Sequence, residues 1–285
     1  MRIFRLSSDW RVRDMSRVFG LAHLSMMSVP PDRLAAVAAA AGFDFTGFRL
    51  TPSPSTGIDH AVLGNDRALE SLCRAVSEED IGILDVEVIR MTDPSSVDAS
   101  RPLLEAAQAL GARYVIATVE DEDPVRRLDT LAQVADLAAE HNTSIAVEFM
   151  LFSAAKDLDT CVQIVTQCGA PNVVVLADSL HLARSGGHPR DLTLYPPELF
   201  HYAQICGAPG AGAAPDPQTA RSEGVHGRLM PDEGDLPVSE FVAALAPETI
   251  LSVESPLKGR SDPTDPLALA REMLASAHRV AGVAT

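Results

Sequence analysis

The chain is short of aromatic residues, of cysteine and of basic charge. Phe, Trp and Tyr make up 5% of its 285 residues, so its core has to be mainly aliphatic. Its 23 Lys and Arg stand against 39 Asp and Glu, a formal net charge of −16. Nucleic-acid binding draws most of its affinity from cationic side chains on phosphates, and anionic membrane surfaces select the same residues. The deficit argues against both partners and leaves a small molecule and a divalent cation as the expected ones. The four cysteines, Cys73, Cys161, Cys168 and Cys206, form no CxxC pair. A zinc finger or thioredoxin-type site is therefore not expected, and reduced thiols in a chain this long fit a cytoplasmic protein. No apolar run approaches the roughly 18 residues of a membrane span. The opening MRIFRLSSDWRVRDMS lacks the apolar stretch of a signal peptide. No GxGxxG follows the first strand-like segment, where the turn reads SMMSVPPD, which argues against a dinucleotide fold.

What the chain does have is an alternation of short apolar runs with amphipathic, helix-length segments. The strand-like runs are VFGLAHLSM (18–26), FDFTGFRL (43–50), ILDVEVIRM (83–91), YVIATV (114–119), SIAVEFM, NVVVLAD, FHYAQIC and TILSVES. Strands alternating with helices of this length indicate right-handed βα units and a parallel sheet. Eight such units predict a closed (β/α)8 TIM barrel, an α/β fold. The expected layout is an N-terminal extension over 1–17 and a single barrel domain over 18–285. One connection breaks the rhythm: residues 209–237 follow the seventh strand with no clear element. A link of that length reads as a lid-like loop, its first part, PGAGAAPDP, mobile, and its second part, HGRLMPDEGDLP, able to fold over the barrel mouth. SGGHP (185–189) reads as a plain turn.

Four of the late strands end in an oxygen-bearing side chain: Glu148, Asp178, Gln204 and Glu254. Alternate strand residues face the same way, so each of the three acids continues a row that can fill the barrel interior, for example Ala146 before Glu148 and Leu176 before Asp178. The C-terminal ends of barrel strands open into the active-site mouth. Carboxylates converging there repel one another and are costly to bury unless a cation sits among them. An all-oxygen set of Glu148, Asp178, Gln204 and Glu254 suits Mg²⁺, Mn²⁺ or Ca²⁺ better than Zn²⁺. Taken singly, each acid is equally a strand-end cap for the next helix. His181, three residues past Asp178, is expected to meet a substrate hydroxyl. Arg49 and Glu87, near the ends of the second and third strands, point toward the mouth. Arg228 in the long loop is a clamp for a substrate oxygen or carboxylate. His201 is expected to be structural, and His23 reads equally as a site residue and as a satisfied core histidine.

At VEF around Glu148, ADSLHLARSGG at Asp178 and His181, YAQIC at Gln204, GRLMPDEGDLP at Arg228 and VES at Glu254, the chain resembles the xylose isomerase-like TIM-barrel superfamily in its sugar phosphate isomerase/epimerase branch. The resemblance spans roughly residues 18–282 and implies metal ligands at Glu148, Asp178, Gln204 and Glu254. Gln204 stands where that pattern has histidine. It also implies that Glu148 and Glu254 double as acid and base, and that His181 and Arg228 touch substrate oxygens. The expected activity is a divalent-metal-dependent isomerisation or epimerisation of a small sugar-like or keto-polyol substrate, by α-proton transfer through an enediolate, with Mn²⁺ or Mg²⁺ as the cofactor. The alternatives are a metal-dependent dehydratase or other lyase on the same barrel, and a barrel that binds a ligand without chemistry. A homo-oligomer is compatible with the superfamily, although no residue pattern here shows one.

Overall fold

In the computed structural model, residues 17–283 are described except Pro215 and Ser261. The expected N-terminal extension therefore lies outside the described residues, apart from Arg17. Its guanidinium donates to the carbonyls of Val242 and Ala246, both at 2.8 Å.

The strands are β1 (Phe19–Leu21), β2 (Phe45–Arg49), β3 (Gly82–Met91), β4 (Tyr114–Val119), β5 (Ser144–Glu148), β6 (Val173–Asp178), β7 (Tyr202–Ile205) and β8 (Ile250–Val253). All pair in parallel, each with the next, and β8 closes on β1 with Gly20 opposite Ser252. This is the expected (β/α)8 TIM barrel. Both faces of each strand are covered, so β4 and β6 are buried at every position, as a parallel sheet under helices requires. A lumen cluster that includes Phe45, Leu84, Tyr114, Leu176 and Tyr202 fills the barrel below the mouth. A larger aliphatic shell lies between strands and helices.

The helices are α1 (Pro31–Ala41), α2 (Asp66–Glu78), α3 (Ser96–Leu110), α4 (Pro124–Glu140), α5 (Leu158–Cys168), α6 (Ser179–Arg184), α7 (Pro217–His226), α8 (Val238–Ala244) and α9 (Pro266–Ala281). Their ends are written in the sequence. Asp157 caps α5 by accepting from the Thr160 N–H, and α1 stops where Gly42 turns to φ +100°.

Two expected elements differ. The first strand-like run extends only to Leu21. His23–Met26 form a 3-10 turn, because the His23 ring spans Val29 O (2.8 Å at Nε2) and the Arg49 N–H (2.9 Å at Nδ1) and folds the chain back. His23 is thus a satisfied core histidine. The 209–237 loop contains α7, with Asp216 accepting from the Thr219 N–H and Pro217 in its first turn. Its leading part, expected to be mobile, is held by hydrogen bonds from Arg184 to the carbonyls of Pro209, Gly210 and Gly212.

Candidate active site

The C-terminal ends of β5, β6, β7 and β8 bring Glu148, Asp178, Gln204 and Glu254 to one mouth. Asp178 Oδ1 accepts the N–H groups of Leu180 (2.7 Å) and His181 (3.0 Å), so it caps α6 as well as facing the site. Its Oδ2 takes Arg228 Nη1 at 2.5 Å. The second arm of Arg228, Nη2, lies 2.8 Å from Glu254 Oε2 and 3.5 Å from His181 Nε2. The guanidinium, 1% exposed, therefore bridges β6 to β8 inside the mouth. The segment that brings it there, expected to fold over the mouth, buries its arginine in it.

Gln204 donates Nε2 to Glu254 Oε1 at 3.0 Å. This leaves Gln204 Oε1 buried with no partner among the described residues. Of the four strand-end groups, Glu148 is the least engaged: its nearest partner is His181 Nε2, at 3.7 Å. Glu148, Asp178 and His181 offer atoms within 4.8 Å of one another. His181 is not on a loop. It lies in α6, buried, with the edge of Phe152 toward its ring at 6.0 Å between centroids. Arg49 and Glu87 pair with each other at 3.0 Å. His201 lies at the opposite end of β7, where its Nδ1 meets the Tyr114 hydroxyl at 3.0 Å.

The electrostatics follow from burial. Desolvation, with the charges of Glu254 and Asp178 added, pushes the Glu148 carboxyl well above its usual range. Desolvation raises Glu254 to about 8 although Arg228 pulls the other way. Burial also opposes ionisation of Asp178, but Arg228, His181 and the N–H of the helix cap outweigh it, and its pKa falls. Burial drives His181 down to about 4, so its ring is neutral at pH 7.

The fit of a divalent cation can be judged from these charges and atoms. Glu148, Asp178 and Glu254 carry three negative charges when ionised, and Arg228 returns one positive charge. Two charges are left to balance in a dry site, by one divalent ion or by protons on the two glutamates. The orphaned Gln204 Oε1 is a hard neutral donor in the same place. Glu148 and Gln204 Oε1 offer the less engaged oxygens, whereas those of Asp178 and Glu254 are already met by Arg228, Gln204 and the N–H groups of α6, so an oxygen-preferring divalent ion at the four strand ends would compete with Arg228 for them.

Sequence reading missed two residues of this region. Asp85 is fully buried, and neither of its oxygens makes a well-formed hydrogen bond among the described residues, although the Tyr202 hydroxyl acts on it. Gly47 makes room for it, since a Cβ there would fall 2.1 Å from Asp85 Oδ1. The available signal was an acid embedded in ILDVEV. Burial, then the charges of Glu87 and Glu254, raises the Asp85 carboxyl well above the ordinary range. The second is Arg184, in the helix after β6, for which no spacing gave a signal.

Comparison with known proteins bears on this geometry. No curated protein sequence matches the chain significantly. Among solved structures, an IOLI protein with a binding zinc atom superposes with a TM-score of 0.76 at 15% identity, covering 92% of this chain and 97% of that one. D-psicose 3-epimerase with D-tagatose, from Clostridium cellulolyticum H10, gives 0.69 at 14%, covering 93% and 99%. The probable 3-DHS dehydratase AsbF from Bacillus anthracis gives 0.68 at 14%, covering 90% and 98%. At these identities the likeness is one of fold. The sequence profile described as xylose isomerase-like TIM barrel matches residues 35–277, most of the chain and all strands but the first. The chain belongs to the xylose isomerase-like TIM barrel family.

Proposed function

We propose that the barrel mouth catalyses proton transfer next to a carbonyl on a small polyhydroxylated or keto substrate, in the sense of an isomerase or epimerase, with a divalent cation held by Glu148, Asp178, Gln204 and Glu254. The observation that carries the reading is the charge imbalance: the buried Asp178 and Glu254, the half-buried Glu148 and one guanidinium converge in the mouth beside an amide oxygen that has no partner among the described residues. When bound, the cation supplies Lewis-acid polarisation of a substrate oxygen and orients the substrate.

The chain's own residues do the rest. Glu148 at the end of β5 and Glu254 just past β8 rise from different walls of the barrel, so a substrate between them has one carboxyl group on each side. One removes the α-proton and the other returns it. His181, neutral at pH 7, offers Nε2 to a substrate hydroxyl. Arg228 keeps Asp178 and Glu254 fixed and adds positive charge where an oxyanion develops. Arg49 and Glu87 form the rim at β2 and β3 and bear on substrate orientation.

One observation favours a second reading. His181 Nε2 lies 3.7 Å from Glu148, so the imidazole and the carboxyl group can bear on the same substrate oxygen. With it, a β-hydroxyl can leave as water after α-proton removal, which makes the enzyme a dehydratase.

The test is a screen of ketoses, inososes and cyclic keto-acids in D₂O with Mn²⁺ or Mg²⁺, read by NMR. Wash-in of deuterium at the α-carbon with retention of all oxygens supports isomerisation or epimerisation. Loss of water supports the dehydratase. Glu254→Gln should abolish either reaction, and full activity in that variant refutes the assigned roles.

A further inference from the structure

Arg184 ends α6 with its side chain 6% exposed, and every one of its N–H donors has a partner. Nε meets Glu223 Oε2 at 2.5 Å, and Nη2 meets Glu223 Oε1 at 2.7 Å. Nη2 also donates to Pro209 O at 2.8 Å, and Nη1 donates to Gly210 O at 2.9 Å and Gly212 O at 2.8 Å. All five bonds go to the segment between β7 and the end of α7. Only a planar five-donor fork can grip a carboxylate and three carbonyls at once.

The segment needs such a grip. Within α7 only Ala220 and Gly224 are buried, and a ten-residue helix with so small an apolar contact is marginal by itself. A further contact is Arg221, whose guanidinium lies over the Phe152 ring at 4.4 Å, and the Ala214 N–H donates to Arg184 O at 3.1 Å.

What α7 positions is the candidate site. The residue after Glu223 is Gly224. Its carbonyl accepts Arg228 Nε at 2.8 Å, and a Cβ on it would lie 3.4 Å from His181 Cε1. The turn of helix that Arg184 grips is therefore the turn that orients Arg228 and abuts the His181 ring. We infer that Arg184 is a positioning residue that locks α7 against α6 and thereby aims the Arg228 guanidinium between Asp178 and Glu254. Its consequence for turnover rests on the proposed function; its consequence for the placement of Arg228 does not.

The test uses the full chain labelled with ¹⁵N-arginine, with the Arg228 Nε–H signal identified by its loss in Arg228→Lys. Two variants weaken the grip from opposite ends: Arg184→Lys, which keeps the charge, and Glu223→Ala, on the more exposed partner. In each, Arg228 Nε–H exchange with solvent and tryptic cleavage after the exposed Arg221 should both accelerate by about tenfold or more while the barrel's own melting changes little. A general loss of stability would speed exchange everywhere, whereas this effect is confined to α7 and Arg228. Exchange and cleavage within about twofold of wild type in both variants overturns the inference. If no substrate turns over in any of the proteins but the local exchange responds, the proposed function fails and the positioning role stands. If turnover is found, the same variants should lower kcat.

Discussion

Loading the mouth with a divalent ion should expel protons, and the number is set by the carboxyl groups there. Glu254, raised to about 8 by burial, is about nine-tenths protonated at pH 7. Burial and its acidic neighbours raise Glu148 in the same direction. An ion bound through both carboxylates needs both ionised, so binding competes with protons. The sign is fixed: the free protein holds more protons than the loaded one, and affinity rises with pH. About one proton from Glu254 should leave per ion at pH 7, and Kd should tighten by about tenfold per pH unit below pH 8. Calorimetric titration of Mn²⁺ in buffers of different ionisation enthalpy counts the protons directly. Glu254→Gln should lower the count by about one and weaken binding. Stoichiometric binding without proton release, at an affinity flat from pH 6 to 8, would refute the reasoning. Either the ion would then sit elsewhere, or Arg228 alone would keep both glutamates ionised.

Other perturbations have equally definite outcomes. Arg228→Met strands the ionised Asp178 in a dry mouth and should cost about 3–5 kcal/mol in denaturant titrations without metal; a loss below about 1 kcal/mol would mean the bridge contributes little. His23, held near 3 by burial, is neutral in the fold, whereas its unfolded value is near 6.5. Its contribution is complete above that value and is lost as pH falls toward 3, at about 1.4 kcal/mol per unit. Near pH 5 the wild type should have lost about 2 kcal/mol from this source, and His23→Gln should show a correspondingly flatter dependence of stability on pH. Asp85→Asn replaces a carboxyl whose ionisation burial opposes with a neutral group of the same shape. Its melting at pH 7 should match wild type within about 0.5 kcal/mol, and a loss above about 2 kcal/mol would show that Asp85 is ionised and paired through the mouth.

The barrel was legible in the chain because its evidence is local. Runs such as VVVLAD are buried on both faces, helices open on residues such as Asp157 and close on glycines such as Gly42, and each signal stands within a few residues of the element it makes. The convergence of Glu148, Asp178, Gln204 and Glu254 was legible for a related reason: strand ends in a parallel barrel share one rim, so position in the strand predicts position in space. Tertiary structure alone decided which charges meet there. Arg228 is 50 residues from Asp178 and 26 from Glu254 in sequence, and only the fold of 207–230 inserts its guanidinium between them. Arg184 and Asp85 stayed hidden for the same cause. The five acceptors of Arg184 come from a segment whose composition reads as a loop, and the burial of Asp85 depends on the missing side chain at Gly47 on the neighbouring strand. The sequence by itself determined the periodicity, the caps and the strand-end chemistry, because these act over a few residues. The closed barrel decided the pairing of charges in its mouth, because Coulomb and hydrogen-bond energies depend on distances that only chain closure sets.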